Sequence, residues 1–157
     1  MRQRLTGIVR IAAIAAIGFA VAGGATRARA AKPHQHIYNA YHKLRRAHYV
    51  ISHGCTHLGG HREAAMRQVE AANGELKLAM ASVHGTLPTT PEGGPIRVVA
   101  GQVHPYMIDA LRECREAKAA LASAAHDFGG HRVKAIQHID IAIAELQEAI
   151  KEPACKK

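Results

Sequence analysis

His57-Leu58-Gly59-Gly60-His61-Arg62 returns 70 residues later as Asp127-Phe128-Gly129-Gly130-His131-Arg132. The likeness continues on both sides. Downstream, Ala65, Ala72, Glu75, Leu76 and Ala79 meet Ala135, Ala142, Glu145, Leu146 and Ala149; upstream, Ala40, Arg45 and Ala47 meet Ala110, Arg115 and Ala117. Matching sustained over so many positions marks one structural unit written twice. In each unit a glycine pair separates two amphipathic stretches. The first glycine suits the left-handed conformation that closes a helix, and the second frees the chain to reverse. Each unit therefore reads as a helical hairpin turning at Gly59, Gly60, His61 and Arg62, or at Gly129, Gly130, His131 and Arg132.

Heptad spacing supplies the expected core. The first helix offers Ile37, Tyr41, Leu44, His48, Ile51, Cys55 and Leu58, and the second Met66, Val69, Asn73, Leu76 and Met80. In the second unit the series are Met107, Leu111, Cys114, Lys118, Leu121, Ala125 and Phe128, then Ile136, Ile139, Ile143, Leu146 and Ile150. A single hairpin would leave its apolar stripe in water, so the two must pack together or pair with another chain. The predicted fold is all-α: a four-helix bundle of two repeated hairpins, about 33–83 and 105–152, joined by a Pro/Gly-rich linker at 84–104. That linker spans roughly 60 Å when extended, against helices of about 35 Å, so it permits either connectivity.

Residues 1–30 have the three zones of a secretory signal: basic Met1-Arg2-Gln3-Arg4, an apolar run from Ile11 to Ala22, and a small-residue exit at Ala28-Arg29-Ala30. Cleavage after Ala30 is expected, leaving residues 31–157 as one soluble domain in the periplasm or outside the cell. The leader carries five arginines and no acid, so its loss lowers the formal charge from +9 to +4. Tryptophan is absent and alanine abundant, which favours helix over sheet. Three cysteines, Cys55, Cys114 and Cys155, permit at most one internal disulfide. Cys55 and Cys114 fall on predicted seams as small apolar residues, whereas Cys155, in a Pro-Ala-Cys-Lys-Lys tail, is free to link two chains or close onto Cys114.

The D-x-G-G-H-R corner followed by alanines seven residues apart is similar to a recurring segment in small exported bacterial proteins of unassigned function. The resemblance covers Met107 to Ile150 most clearly, and Ile37 to Met80 more loosely because His57 replaces the acid. It implies the helical-hairpin fold and no particular activity.

Histidine is the compositional outlier. All twelve lie beyond residue 30, and seven crowd into residues 31–62 together with five cationic side chains and no acid. At 100° per residue, His42, Arg46, Tyr49, His53 and His57 fall opposite the heptad seam, on an exposed stripe. His53 and His57 then stand one turn apart, the spacing at which two imidazoles chelate Cu²⁺, Zn²⁺ or Ni²⁺; His61 would add a third nitrogen and His42 an auxiliary one. Counting back from the corner sets His48 opposite Asn73, which predicts a buried hydrogen bond that fixes register. His61-Arg62 and His131-Arg132 are placed to reach the carbonyls that end the preceding helix, with Asp127 as a further partner.

The chain has no E-x-x-H, H-E-x-x-H, C-x-x-C, P-loop, dinucleotide fingerprint, G-x-S-x-G or specific nucleic-acid motif. No catalytic residues are assigned. Two functions follow as expectations. One is a non-enzymatic scaffold or interaction module whose basic, His-rich first helix docks on an anionic polymer, a membrane surface or an acidic protein. The alternative is a protein that binds or buffers Cu, Zn or Ni through surface histidines. A homodimer, through Cys155 or by hairpin exchange, is compatible with both.

Overall fold

The computed structural model describes residues 34–89, 95–97, 99 and 101–155; the leader expected at 1–30 lies outside them. They form a four-helix bundle: α1 (Gln35–Ser52), α2 (His61–Ala81), α3 (Pro105–Ala122) and α4 (His131–Lys151). Adding 70 to the bounds of α1 and α2 gives those of α3 and α4. No described helix is long and apolar enough to cross a membrane.

The widest backbone contact is between counterpart helices, α2 with α4 and α1 with α3, and each hairpin also packs its own two helices together. Around the bundle the order is therefore α1, α2, α4, α3. Alanine explains these close approaches. Ala40, Ala47, Ala65, Ala72 and Ala79, with Ala110, Ala117, Ala135, Ala142 and Ala149, are all completely buried. A methyl side chain lets two helix axes approach without cavities, and larger residues fill the flanks. Ile37, Leu44, Ile51, Leu76, Leu121, Ile139 and Leu146 supply that bulk.

This arrangement corrects the expected seams. His48, Asn73 and Lys118 are only half-buried, and the neighbouring Ala47, Ala72 and Ala117 take the core positions. Ile136, Ile143 and Ile150 likewise flank the core beside buried Ala135, Ala142 and Ala149. A strict heptad count favoured the larger residue of each adjacent pair, but close axial approach favours the smaller.

The corners differ as well. α1 stops at Ser52 and α3 at Ala122, so the segments carrying Cys55 and Ala125 are not helical. Leu58 and Phe128 are buried, but from the corners and not from a helical seam. Both glycines of each pair are left-handed (φ 59° and 83° at Gly59 and Gly60, 68° and 86° at Gly129 and Gly130). Gly60 and Gly130 are the N-caps of α2 and α4, so the pairs begin the second helices and do not close the first. Arg62 closes α1 instead: its Nε donates to the Ile51 carbonyl (3.0 Å) and its Nη2 to that of Ser52 (3.2 Å). Arg132 Nη1 repeats this on Leu121 (3.2 Å), and its Nε lies 3.8 Å from Asp127.

Filling an alanine position should open the seam. Ala72→Leu or Ala142→Leu is expected to lower unfolding free energy in urea by about 1–3 kcal/mol, whereas Leu78→Ala on the exposed face should stay within about 0.5 kcal/mol.

Candidate thiol and imidazole centre

Four of the residues expected to bind metal are employed separately. His42 tilts against Tyr38 with ring centroids 4.2 Å apart. His53 packs on Tyr49 in the same way and donates from Nδ1 to the Tyr49 carbonyl at 2.7 Å. His57 contacts the Thr56 hydroxyl through Nδ1 (3.1 Å), and His61 Nδ1 donates to Glu145 Oε2 at 2.7 Å. Because α1 ends at Ser52, His53 and His57 never share a helical face, and with His61 they form no ligand cluster among the described residues.

The expected His48–Asn73 pair is also absent. His48 Nε2 bonds Glu70 Oε1 at 2.8 Å, and Asn73 Oδ1 is enclosed with no hydrogen-bond partner among the described residues. Outside the seam His48 reaches across to α2, and its counterpart Lys118 does the same to Asp140 on α4 (2.6 Å).

The basic first helix is largely neutralised within the bundle. Glu113, 1% exposed, meets Arg46 Nε (3.1 Å) and Arg112 Nη2 (2.6 Å) through Oε1 and Lys43 Nζ (3.2 Å) through Oε2. Asp109, 3% exposed, receives Arg112 Nη2 at 2.6 Å and the Arg97 amide at 3.2 Å, with Arg46 Nη2 at 3.5 Å. Glu116 pairs with Lys43 and Arg112 on the outside, and Lys43 and Arg112 are raised above their ordinary values, in each case first by a carboxylate hydrogen bond. Buried carboxylates persist only where cations satisfy them, and α1 provides two of these. Arg46 also holds the linker by donating to the Pro95 carbonyl (2.5 Å), and Arg45 donates to that of Pro88 (3.1 Å). Arg46 is therefore not part of an open stripe.

Neighbouring helices run antiparallel: Lys43 and Arg46 meet Glu113 and Asp109, and Gln68 meets His138 (2.8 Å). The end of α1, the start of α3 and the end of α4 thus converge at one end of the bundle. There Cys55 and Cys155, 100 residues apart, are joined by a disulfide with Cα atoms 6.4 Å apart. This replaces the expected closure of Cys155 onto Cys114 or onto another chain. Cys114 is free and buried, and desolvation pushes its thiol up to about 12, which leaves it inert.

His104 completes the group. It is 8% exposed, its Nε2–H donates to the Glu152 carbonyl at 2.9 Å, and its Nδ1 faces Cys155 Sγ at 3.8 Å. Because a carbonyl only accepts, Nε2 carries a proton, and Nδ1 is the ring nitrogen turned toward the sulfur. The backbone of His104 is left-handed (φ 56°, ψ 52°) although it is not glycine and precedes Pro105, a conformation that sterics disfavour. Burial and the Glu152 hydrogen bond hold it there.

Cys55, His104 and Cys155 each offer a ligand atom, all within 4.8 Å of one another, and among the described residues they are the one such trio. They border a largely apolar hollow of about 390 Å³ that also touches Leu58, Tyr106 and Met107. A second hollow, on the His57 side, is lined by Glu152 and Cys155. No protein-family model, curated protein or solved structure matches the chain. No motif announces the trio: its members are far apart in sequence and only the connectivity unites them.

Removing the covalent link, by Cys155→Ser or by a reductant, is expected to cost about 2–5 kcal/mol in urea unfolding, since the bond closes a loop of 100 residues. The His61 imidazole is raised above its ordinary value, first by the Glu145 hydrogen bond. Its stabilisation is complete below about pH 6.5 and is lost as pH rises through the raised value. Between roughly pH 6 and 8.5 the urea midpoint of the wild type should fall relative to that of His61→Asn; parallel curves would mean that the clasp contributes nothing.

Proposed function

We propose that this chain is a non-enzymatic metal-handling protein that works outside the cytoplasm and holds one late transition-metal ion through Cys55, Cys155 and His104 when the two cysteines are dithiol. The observation that carries this reading is the approach of His104 Nδ1 to Cys155 Sγ, with the other ring nitrogen fixed by a carbonyl. A ligating histidine is normally oriented in this way by a hydrogen bond from its second nitrogen.

The distances suit the chemistry. With metal–sulfur bonds of about 2.3 Å and metal–nitrogen bonds of about 2.0–2.1 Å, a tetrahedral site separates sulfur from nitrogen by roughly 3.6 Å and the two sulfurs by roughly 3.8 Å. The sulfur and nitrogen already lie 3.8 Å apart. Opening the disulfide requires the sulfurs to part by roughly 1.7 Å, and Cys155 sits on a non-helical tail, four residues beyond the end of α4 at Lys151. Two thiolates and one imidazole favour Zn²⁺ or Cu⁺ over harder ions. Docking on an anionic partner through α1 has less support, because Lys43 and Arg46 are occupied by α3 carboxylates.

Anaerobic titration of the reduced full chain with Co²⁺ should give one equivalent of binding with thiolate-to-metal charge-transfer absorption. Cys55→Ser and Cys155→Ser should abolish that absorption, and His104→Ala should weaken binding at least about tenfold. A His53→Ala/His57→Ala double variant should bind as the wild type does. If that double variant alone loses the metal, the surface histidines are the site and the proposal fails.

A further inference from the structure

The disulfide and the proposed metal centre claim the same two sulfur atoms, and this has a chemical consequence. We propose that the Cys55–Cys155 disulfide is the discharged state of the centre, formed when Cys155 attacks a low-molecular-weight disulfide, so that metal release is driven by thiol–disulfide exchange. This inference rests on the metal-handling reading for the release step, but not for the order of attack.

The two cysteines are not equivalent. Cys155 borders both hollows, the apolar one and the one beside His57 and Glu152, whereas Cys55 borders only the first. An incoming disulfide therefore has two approaches to Cys155 and one to Cys55. Cys155 is also the sulfur that faces His104 Nδ1. Cys55 follows the end of α1, and its sulfur lies within 4.8 Å of the same ring without the contact that Cys155 makes at 3.8 Å.

The steps balance. The Cys155 thiolate attacks one sulfur of R–S–S–R, forming Cys155–S–S–R and expelling R–S⁻. The Cys55 thiolate then attacks the Cys155 sulfur, forming the internal disulfide and expelling a second R–S⁻. Two protein thiolates have lost two electrons, one external disulfide has gained them, and the ion departs with its charge unchanged. A dithiol reductant reverses the sequence and restores both ligands. His104 remains in place throughout, held by Glu152, so one ligand is preorganised for reloading.

The test uses the reduced full chain, with and without one equivalent of Zn²⁺, exposed to oxidised glutathione. With metal, a chromophoric chelator should register one Zn²⁺ released per internal disulfide formed. Without metal, peptide mapping after acid quench should place the transient glutathione adduct on Cys155; Cys55→Ser should retain that adduct, and Cys155→Ser should react roughly tenfold more slowly. Zn²⁺ that stays bound after disulfide formation, or an adduct that maps first to Cys55 in the wild type, overturns the proposal. A reduced chain that takes up no Zn²⁺ yet forms its adduct at Cys155 overturns the metal reading and the release step together, and leaves only the order of attack.

Discussion

Ten buried alanines govern how near the helices lie, and the bundle depends on that spacing. Because Ala65, Ala72 and Ala79 and their counterparts in α4 are fully enclosed, α2 and α4 approach through methyl groups, and Ala40 and Ala47 do the same for α1 against α3. Close axes bring polar side chains at the flanks within hydrogen-bond reach of the opposite hairpin. His61 reaches Glu145, and His131 reaches Glu75, as a reciprocal pair of contacts at 2.7 Å. Bulky seams would hold these partners apart. The polar clasps are thus a consequence of apolar packing and not a separate source of order.

The near two-fold relation between the hairpins has an electrostatic cost that the sequence avoids. Where such an axis passes, a residue meets its own counterpart, and two identical charges there would repel. Lys43 meets Glu113 and Gln68 meets His138, each pair being equivalent positions of the two units. At Lys43 and Glu113 exact repetition would have set two like charges together. Elsewhere the chemistry is kept while the residues change, as in His48–Glu70 and Lys118–Asp140.

What could be read from the residues divides along the same lines. Helical hairpins were legible because the glycine pairs and alanine spacing are local signals, and the four-helix architecture follows from them. The seam was misjudged at His48 and Asn73 because a heptad count weighs hydrophobic bulk, whereas the deciding quantity, interaxial distance, belongs to the assembled bundle. The histidine stripe presumes that α1 continues past Ser52, where the helix in fact ends. His104 and Cys155 carried no pattern at all. Their meeting depends on connectivity, which a linker long enough for either arrangement left open, and the buried Glu113 network escaped notice because a carboxylate on α3 looks like any surface acid until α1 covers it.

The covalent ring closed at Cys55 and Cys155 contains α2, α3 and α4 and leaves α1 outside. Tension applied to the two chain ends therefore passes across the sulfur–sulfur bond and bypasses everything between the two cysteines. Only α1 would be peeled away, shearing its alanine contacts and charge pairs from α3, while the enclosed 100-residue segment bears no load until the bond is reduced. Mechanical extensibility is then set by the oxidation state of two sulfurs.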